Sequence, residues 1–101
     1  NPMTRCPAVY ILASKPNGTL YIGVTSNLPK RVWEHKQDLV EGFTRRYQVH
    51  QLVWYEVLDT MEAAIELEKR MKGWRRDWKV RAIEDKNPPW RDLYEDISAG
   101  G

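Results

Sequence analysis

Two short apolar segments, Pro7 to Ser14 and Thr19 to Thr25, are both rich in Val, Ile, Tyr and Leu and are separated by Lys15-Pro16-Asn17-Gly18. Proline presets φ, and Asn and Gly tolerate positive φ, so the chain is expected to turn back on itself there as a β-hairpin. That hairpin constrains the rest of the fold. With those four residues as the loop, Ser14 pairs with Thr19, Leu12 with Tyr21 and Tyr10 with Gly23. Tyr10 and Tyr21 then rise from one face as diagonal neighbours about 7–8 Å apart. A two-residue Asn-Gly loop also keeps them on one face but farther apart, and a three-residue loop puts them on opposite faces. Gly23, opposite Tyr10, leaves a gap through which a substrate or another backbone could approach. Taken alone, two tyrosines on strands are most simply packing residues of a small sheet.

The next element changes that balance. Ser26-Asn27-Leu28-Pro29 combines a capping side chain with a proline in the first turn, and predicts a helix to about Val40. Leu28, Val32, His35 and Leu39 share one face of it, and Arg31 and His35 neighbour each other at the edge of that face. Either His35 is a buried imidazole satisfied by a backbone group, or the pair lines a cleft. An arginine beside an apolar stripe usually extends to solvent, but here the hairpin's phenols offer it another partner.

Asp59 to Arg75 is the clearest helix, opened by the capping-box pattern Asp59-Thr60-Met61-Glu62 and carrying the stripe Met61, Ala64, Leu67, Met71 and Trp74. Glu68 lies on the margin of that stripe. Its partner is either Lys72, four residues on, or a divalent ion such as Mg²⁺, which commonly needs only one or two carboxylates beside waters and phosphate. A third strand is expected over Gln51 to Leu58 and a last helix near Asp77 to Asp85. Asn87-Pro88-Pro89-Trp90 should end that helix and tuck Trp90 back.

At 101 residues the chain reads as one domain, residues 7–97, with 1–6 a disordered or expression-derived N-terminus and 98–101 a flexible C-terminus. Asn1-Pro2 ahead of Met3 reads as an expression remnant. One cysteine, Cys6, and two histidines build neither a disulfide scaffold nor a zinc site. There is no P-loop, no glycine-rich dinucleotide fingerprint and no Ser/His/Asp or Cys/His arrangement. With neither a signal peptide nor an apolar run of membrane length, the expected setting is cytoplasmic, away from membranes.

A net charge of +2 hides an uneven distribution. Lys69 to Arg81 holds seven basic residues against Asp77, with Trp74 and Trp78 interleaved, and Arg45 and Arg46 form a second patch in the loop after the first helix. Clustered cations with aromatics suit a nucleic-acid backbone, and a solvated helix face over core tryptophans is the plainer alternative. The candidate nucleic-acid contacts are Gly23, Arg45, Arg46, Lys69, Lys72, Arg75, Arg76 and Lys79. The tail from Glu84 to Asp96 turns acidic, so the positive field should be local.

In this order, Val9-Tyr10, Tyr21-Ile22-Gly23 with Val24-Thr25, Asn27-Leu28 followed by Arg31 and His35, then Glu68 and Asn87-Pro88, the chain resembles the small single-domain members of the GIY-YIG nuclease family over roughly Pro7 to Trp90. The resemblance implies an α/β (α+β) domain with a three-stranded antiparallel sheet flanked by helices. It also implies hydrolysis of DNA phosphodiesters with Mg²⁺ or Mn²⁺, with Tyr10, Tyr21, Arg31, His35, Glu68 and Asn87 as the catalytic set. Tyr21 matches the tyrosine that activates or positions water, Arg31 the arginine that stabilises phosphate, and Glu68 the metal ligand. Ala8 replaces the first motif's Gly. Val24 stands where some members carry lysine, leaving Tyr21, His35 or Tyr10 to activate the nucleophile. A phenol with an ordinary pKa near 10 needs positive charge nearby to serve as a base. A homodimer or protein partner would supply specificity. The alternatives are a nucleic-acid-binding module that keeps the fold without cleavage, which Val24 favours, and an interaction domain in a DNA repair or mobile-element complex.

Overall fold

The computed structural model describes residues 6–40 and 42–98, so expectations for residues 1–5 and 99–101 lie outside the described residues. Three antiparallel strands, β1 (Ala8–Ala13), β2 (Leu20–Thr25) and β3 (Gln51–Val57), form a sheet in the order β2-β1-β3. β1 is central and buried along its whole length, which is why it reads as an unbroken apolar run. The four-residue loop forms as expected: Gly18 donates its N–H to the Lys15 carbonyl, and Asn17 takes a left-handed φ of 61°. It sets Leu12 opposite Tyr21 and Tyr10 opposite Gly23.

Alternation along β1 builds two cores. Val9, Ile11 and Ala13 pack with Ile22, Val53, Ala64, Met71, Ile83 and Trp90, beneath α3 (Met61–Lys72) and α4 (Arg76–Lys86). Ala8, Tyr10 and Leu12 pack with Leu28 and Val32 of α1 (Leu28–Lys36) and Ile97 of α5 (Tyr94–Ser98). A register shift between Ile11 and Leu12 lets both Val53 and Trp54 reach the first core, as an extra residue in one strand does.

Local signals set most helix ends. Asn27 Oδ1 accepts the Lys30 N–H at 3.3 Å and Thr60 Oγ1 accepts the Ala63 N–H at 3.1 Å, which satisfies N-terminal amides. α1, however, stops at Lys36 rather than near Val40. Asp38 turns to a left-handed φ of 56° and its carboxylate meets His50 Nε2 at 2.7 Å, so Leu39 leaves the expected apolar face and is 62% exposed. A four-residue helix, α2 (Phe43–Arg46), replaces the expected loop, and α5 runs to Ser98. Trp90 does tuck back, donating its indole N–H to Glu84.

The outer edge of β3 is sealed by the chain that follows α4. Leu93 donates to the Leu52 carbonyl, Asp92 accepts the Leu52 N–H, and Lys36 bonds both Asp92 and the His50 carbonyl. No helix among the described residues is long and apolar enough to cross a membrane.

Candidate active site

Tyr10 and Tyr21 project from the same sheet face, their ring centroids 6.3 Å apart. α1 lays His35 over them, 5.9 Å from the Tyr10 ring and 5.5 Å from that of Tyr21. Tyr10 and His35 are each only 1% exposed, whereas Tyr21 is half-buried. The Tyr10 hydroxyl lies 3.1 Å from His35 Nε2, and His35 Nδ1 lies 3.0 Å from Thr44 Oγ1. A neutral imidazole has one donor and one acceptor nitrogen, so both are used. The buried-imidazole expectation therefore holds in altered form: hydroxyls satisfy the ring, not a backbone group. Thr44, on α2, was not foreseen, because a four-residue helix leaves no hydrophobic period to read.

The environment sets the charge states. Burial pushes the His35 imidazole down to about 4, and the neighbouring Arg31 charge acts in the same sense. Burial also drives the Tyr10 phenol up to about 12, helped by Tyr21 and by the carboxylate of Glu68 and opposed by Arg31. Burial works against charge on Arg31, but the Tyr10 phenol and Glu34, at 3.4 Å, outweigh it and raise the guanidinium above its ordinary value. Glu68, 15% exposed, pairs with Lys72 at 3.4 Å. Arg31 and Glu68 thus both act on Tyr10, one from α1 and one from α3.

Two residues need correction. A Cβ on Gly23 would sit 2.4 Å from the Tyr10 hydroxyl, so the gap that glycine leaves is filled by Tyr10 itself and not held open for nucleic acid. Asn87 caps α4 and is spent on structure: its amide donates to the Val53 and Arg91 carbonyls and accepts the Arg91 N–H. These bonds tie the end of α4 to β3 and to the chain at Arg91.

The basic residues also separate. Lys72 and Lys79 line a hollow of about 330 Å³ with Leu20, Tyr21 and Ile22. Arg76 donates to the Asn17 and Gly18 carbonyls and so pins the hairpin turn to α4, while Arg75 pairs with Asp77. Lys69, Arg45 and Arg46 are exposed, with Arg46 over the Tyr47 ring at 5.6 Å. A second hollow, of about 390 Å³, is lined by Val24, Thr25, Ser26, Asn27, Lys30, Arg31 and Glu34.

A small α+β domain that holds two tyrosines of one hairpin beneath a helix-borne arginine and histidine defines a class. The family model described as the GIY-YIG catalytic domain matches residues 6–81, and the chain belongs to that nuclease family. It is 36% identical over 77 residues to a UPF0213 protein of Natronomonas pharaonis, covering 76% of this chain and 89% of that one. To a UPF0213 protein of Staphylococcus saprophyticus it is 30% identical over 77 residues, covering 76% and 93%. The solution NMR structure of a UPF0213 protein from Bacillus halodurans superposes with a TM-score of 0.54 at 25% identity, covering 88% of this chain and 94% of that one.

Proposed function

We propose that the domain hydrolyses phosphodiester bonds in DNA with Mg²⁺ or Mn²⁺ at the face carrying Tyr21. The observation that carries this reading is the gathering of Tyr21, Tyr10 and His35 within 6.3 Å of one another, with the Arg31 guanidinium beside the Tyr10 phenol. Glu68 fits a divalent ion as a little-exposed oxygen donor. Among the described residues no three His, Cys, Asp or Glu side chains gather, so waters and the substrate phosphate would complete the shell, as is common for Mg²⁺. When bound, such an ion polarises the phosphate and lowers the pKa of a bound water.

The chain's own groups divide the remaining work. Arg31 holds a non-bridging phosphate oxygen and offsets charge that grows as water attacks phosphorus. Tyr21, the more accessible phenol, orients that water. Tyr10, with its pKa near 12, stays protonated at neutral pH and positions its neighbours. His35 stays neutral there and fixes Tyr10 against Thr44. As the new P–O bond forms, the bond from phosphorus to the leaving ester oxygen breaks and its electron pair stays on that oxygen; the attacking water's proton passes to solvent, and the leaving oxygen takes one from solvent.

A binding module without cleavage is the second reading, favoured by Val24 in the hollow that Arg31 lines. Incubation with supercoiled, branched and single-stranded DNA separates the two. Cleavage in Mg²⁺ or Mn²⁺, absent with EDTA, is the expected result. DNA bound but intact in both metals moves the assignment to the binding module.

A further inference from the structure

The two edges of the sheet are treated differently. Along β3 the edge is met at Leu52 by Asp92 and Leu93, and the nearby cations are neutralised, Lys86 by Glu56 and Arg91 by Asp96. Along β2 three hollows follow one another in chain order. The first, lined by the turn residues Ser14 to Thr19, carries Lys15 and Arg76. The second, at Leu20 to Ile22, carries Tyr21, Lys72 and Lys79, and the third, at Val24 to Asn27, carries Lys30 and Arg31 with Glu34, the partner of Arg31.

Among the described residues, Lys15, Lys30 and Lys79 have no carboxylate within salt-bridge distance, although 14 acidic residues are present in the chain. Lysines without a carboxylate partner beside successive hollows of β2, on the turn, on α4 and on α1, with the candidate catalytic phenol between them, are the complement of a linear polyanion. The six residues of β2 span about 20 Å at ~3.3 Å each. The phosphates of one strand of B-form DNA are spaced ~3.4 Å per nucleotide along the axis and wind around it, so a straight edge of that length meets a few of them.

We propose that the β2 edge is the track of the cut DNA strand, running from Lys15 past Lys79 and Tyr21 to Lys30. This rests on the nuclease reading for which strand is cut, but not for binding itself. It moves the contact surface away from the run Lys69 to Arg81 as a whole. Lys15 and Lys30 lie outside that run, while Arg75, within it, is paired with Asp77. Phosphates enter the outer hollows and the scissile one lies at the middle, where Tyr21 and Arg31 line adjoining hollows.

The test is binding in EDTA, where metal-dependent cleavage is switched off, read by titrating a labelled single-stranded oligonucleotide at several salt concentrations. Lys15→Gln, Lys30→Gln and Lys79→Gln combined should weaken binding at least tenfold at low salt. The log–log salt slope should become shallower by about 0.7 for each lysine that meets a phosphate of the single strand. The opposite-edge pair Lys86→Gln with Arg91→Gln should leave both quantities unchanged, and the single Lys30→Gln, at an exposed site, guards against misfolding of the triple variant. Equal losses from the two edges, or an unaltered slope in the triple variant with its fold intact, would overturn the track. Failure of the track with cleavage retained leaves the nuclease reading standing, and absence of cleavage with the track confirmed leaves only a binder.

Discussion

The two faces of the sheet are built from neighbouring residues of one strand, yet they use opposite means of burial. Val9, Ile11 and Ala13 meet an apolar core under α3 and α4, where area removed from water supplies the stability. Ala8, Tyr10 and Leu12 meet α1, and there a phenol, an imidazole and the Thr44 hydroxyl are buried together. Among the described residues no buried side-chain nitrogen or oxygen lacks a hydrogen-bond partner. Polar groups can therefore occupy a core this small when each satisfies the next, but the face that holds them becomes sensitive to protons and to single atoms.

Truncating the apolar side should give the largest loss. Ile11→Ala is expected to cost about 2–5 kcal/mol in denaturant unfolding, since Ile11 is fully buried and leaves a cavity. Tyr10→Phe, one residue away, removes only a hydroxyl and strands one nitrogen of His35, for about 1–3 kcal/mol. If the two variants unfold alike, the contrast between the faces is broken.

Acid should act on the polar face. His35 titrates near 4 in the folded protein against an ordinary 6.5, so the unfolded chain takes up the proton first. Stability is then fully present above pH 6.5 and falls as the pH drops toward 4, by on the order of 3 kcal/mol. Unfolding curves across that range should show the decline in the parent and a flatter profile in His35→Gln. A parent profile that is flat, or that rises toward acid, contradicts the buried neutral imidazole.

An effect of the same size as that of Tyr10→Phe concerns the contact between the strands of the hairpin. Gly23→Ala puts a methyl 2.4 Å from the Tyr10 hydroxyl, and Tyr10 is too enclosed to move freely. Overpacking of that kind costs about 1–3 kcal/mol, and the same displacement should lower cleavage. Unchanged stability in thermal unfolding would mean that Tyr10 has room that its burial denies.

How much of this was legible follows from how local each signal is. Lys15-Pro16-Asn17-Gly18 fixed both loop and register, so the shared face of Tyr10 and Tyr21 followed from four residues. The end of α1 did not, because what stops it is the contact between Asp38 and His50, which joins positions twelve apart. Gly23 was singled out correctly as a gap, but the occupant is an atom of the protein's own chain. Asn87 shows the same limit, since its partners on β3 and at Arg91 emerge only once the chain has turned. The basic run was plain in composition, yet Lys72, Arg75 and Arg76 spend their charges on a carboxylate or on turn carbonyls, and Lys15 and Lys30 join Lys79 only through the sheet.

Whether the tyrosine face acts as the proposed metal-dependent nuclease centre is decided by Glu68→Gln, because the change keeps shape and removes charge. Cleavage of supercoiled DNA by parent and variant should be followed in Mg²⁺ and Mn²⁺, beside binding to the same DNA in EDTA. The variant should lose cleavage by a factor on the order of 10² or more while binding holds, with Arg31→Ala losing comparably through its oxyanion role. A Glu68→Gln protein that cuts as fast as the parent would contradict it.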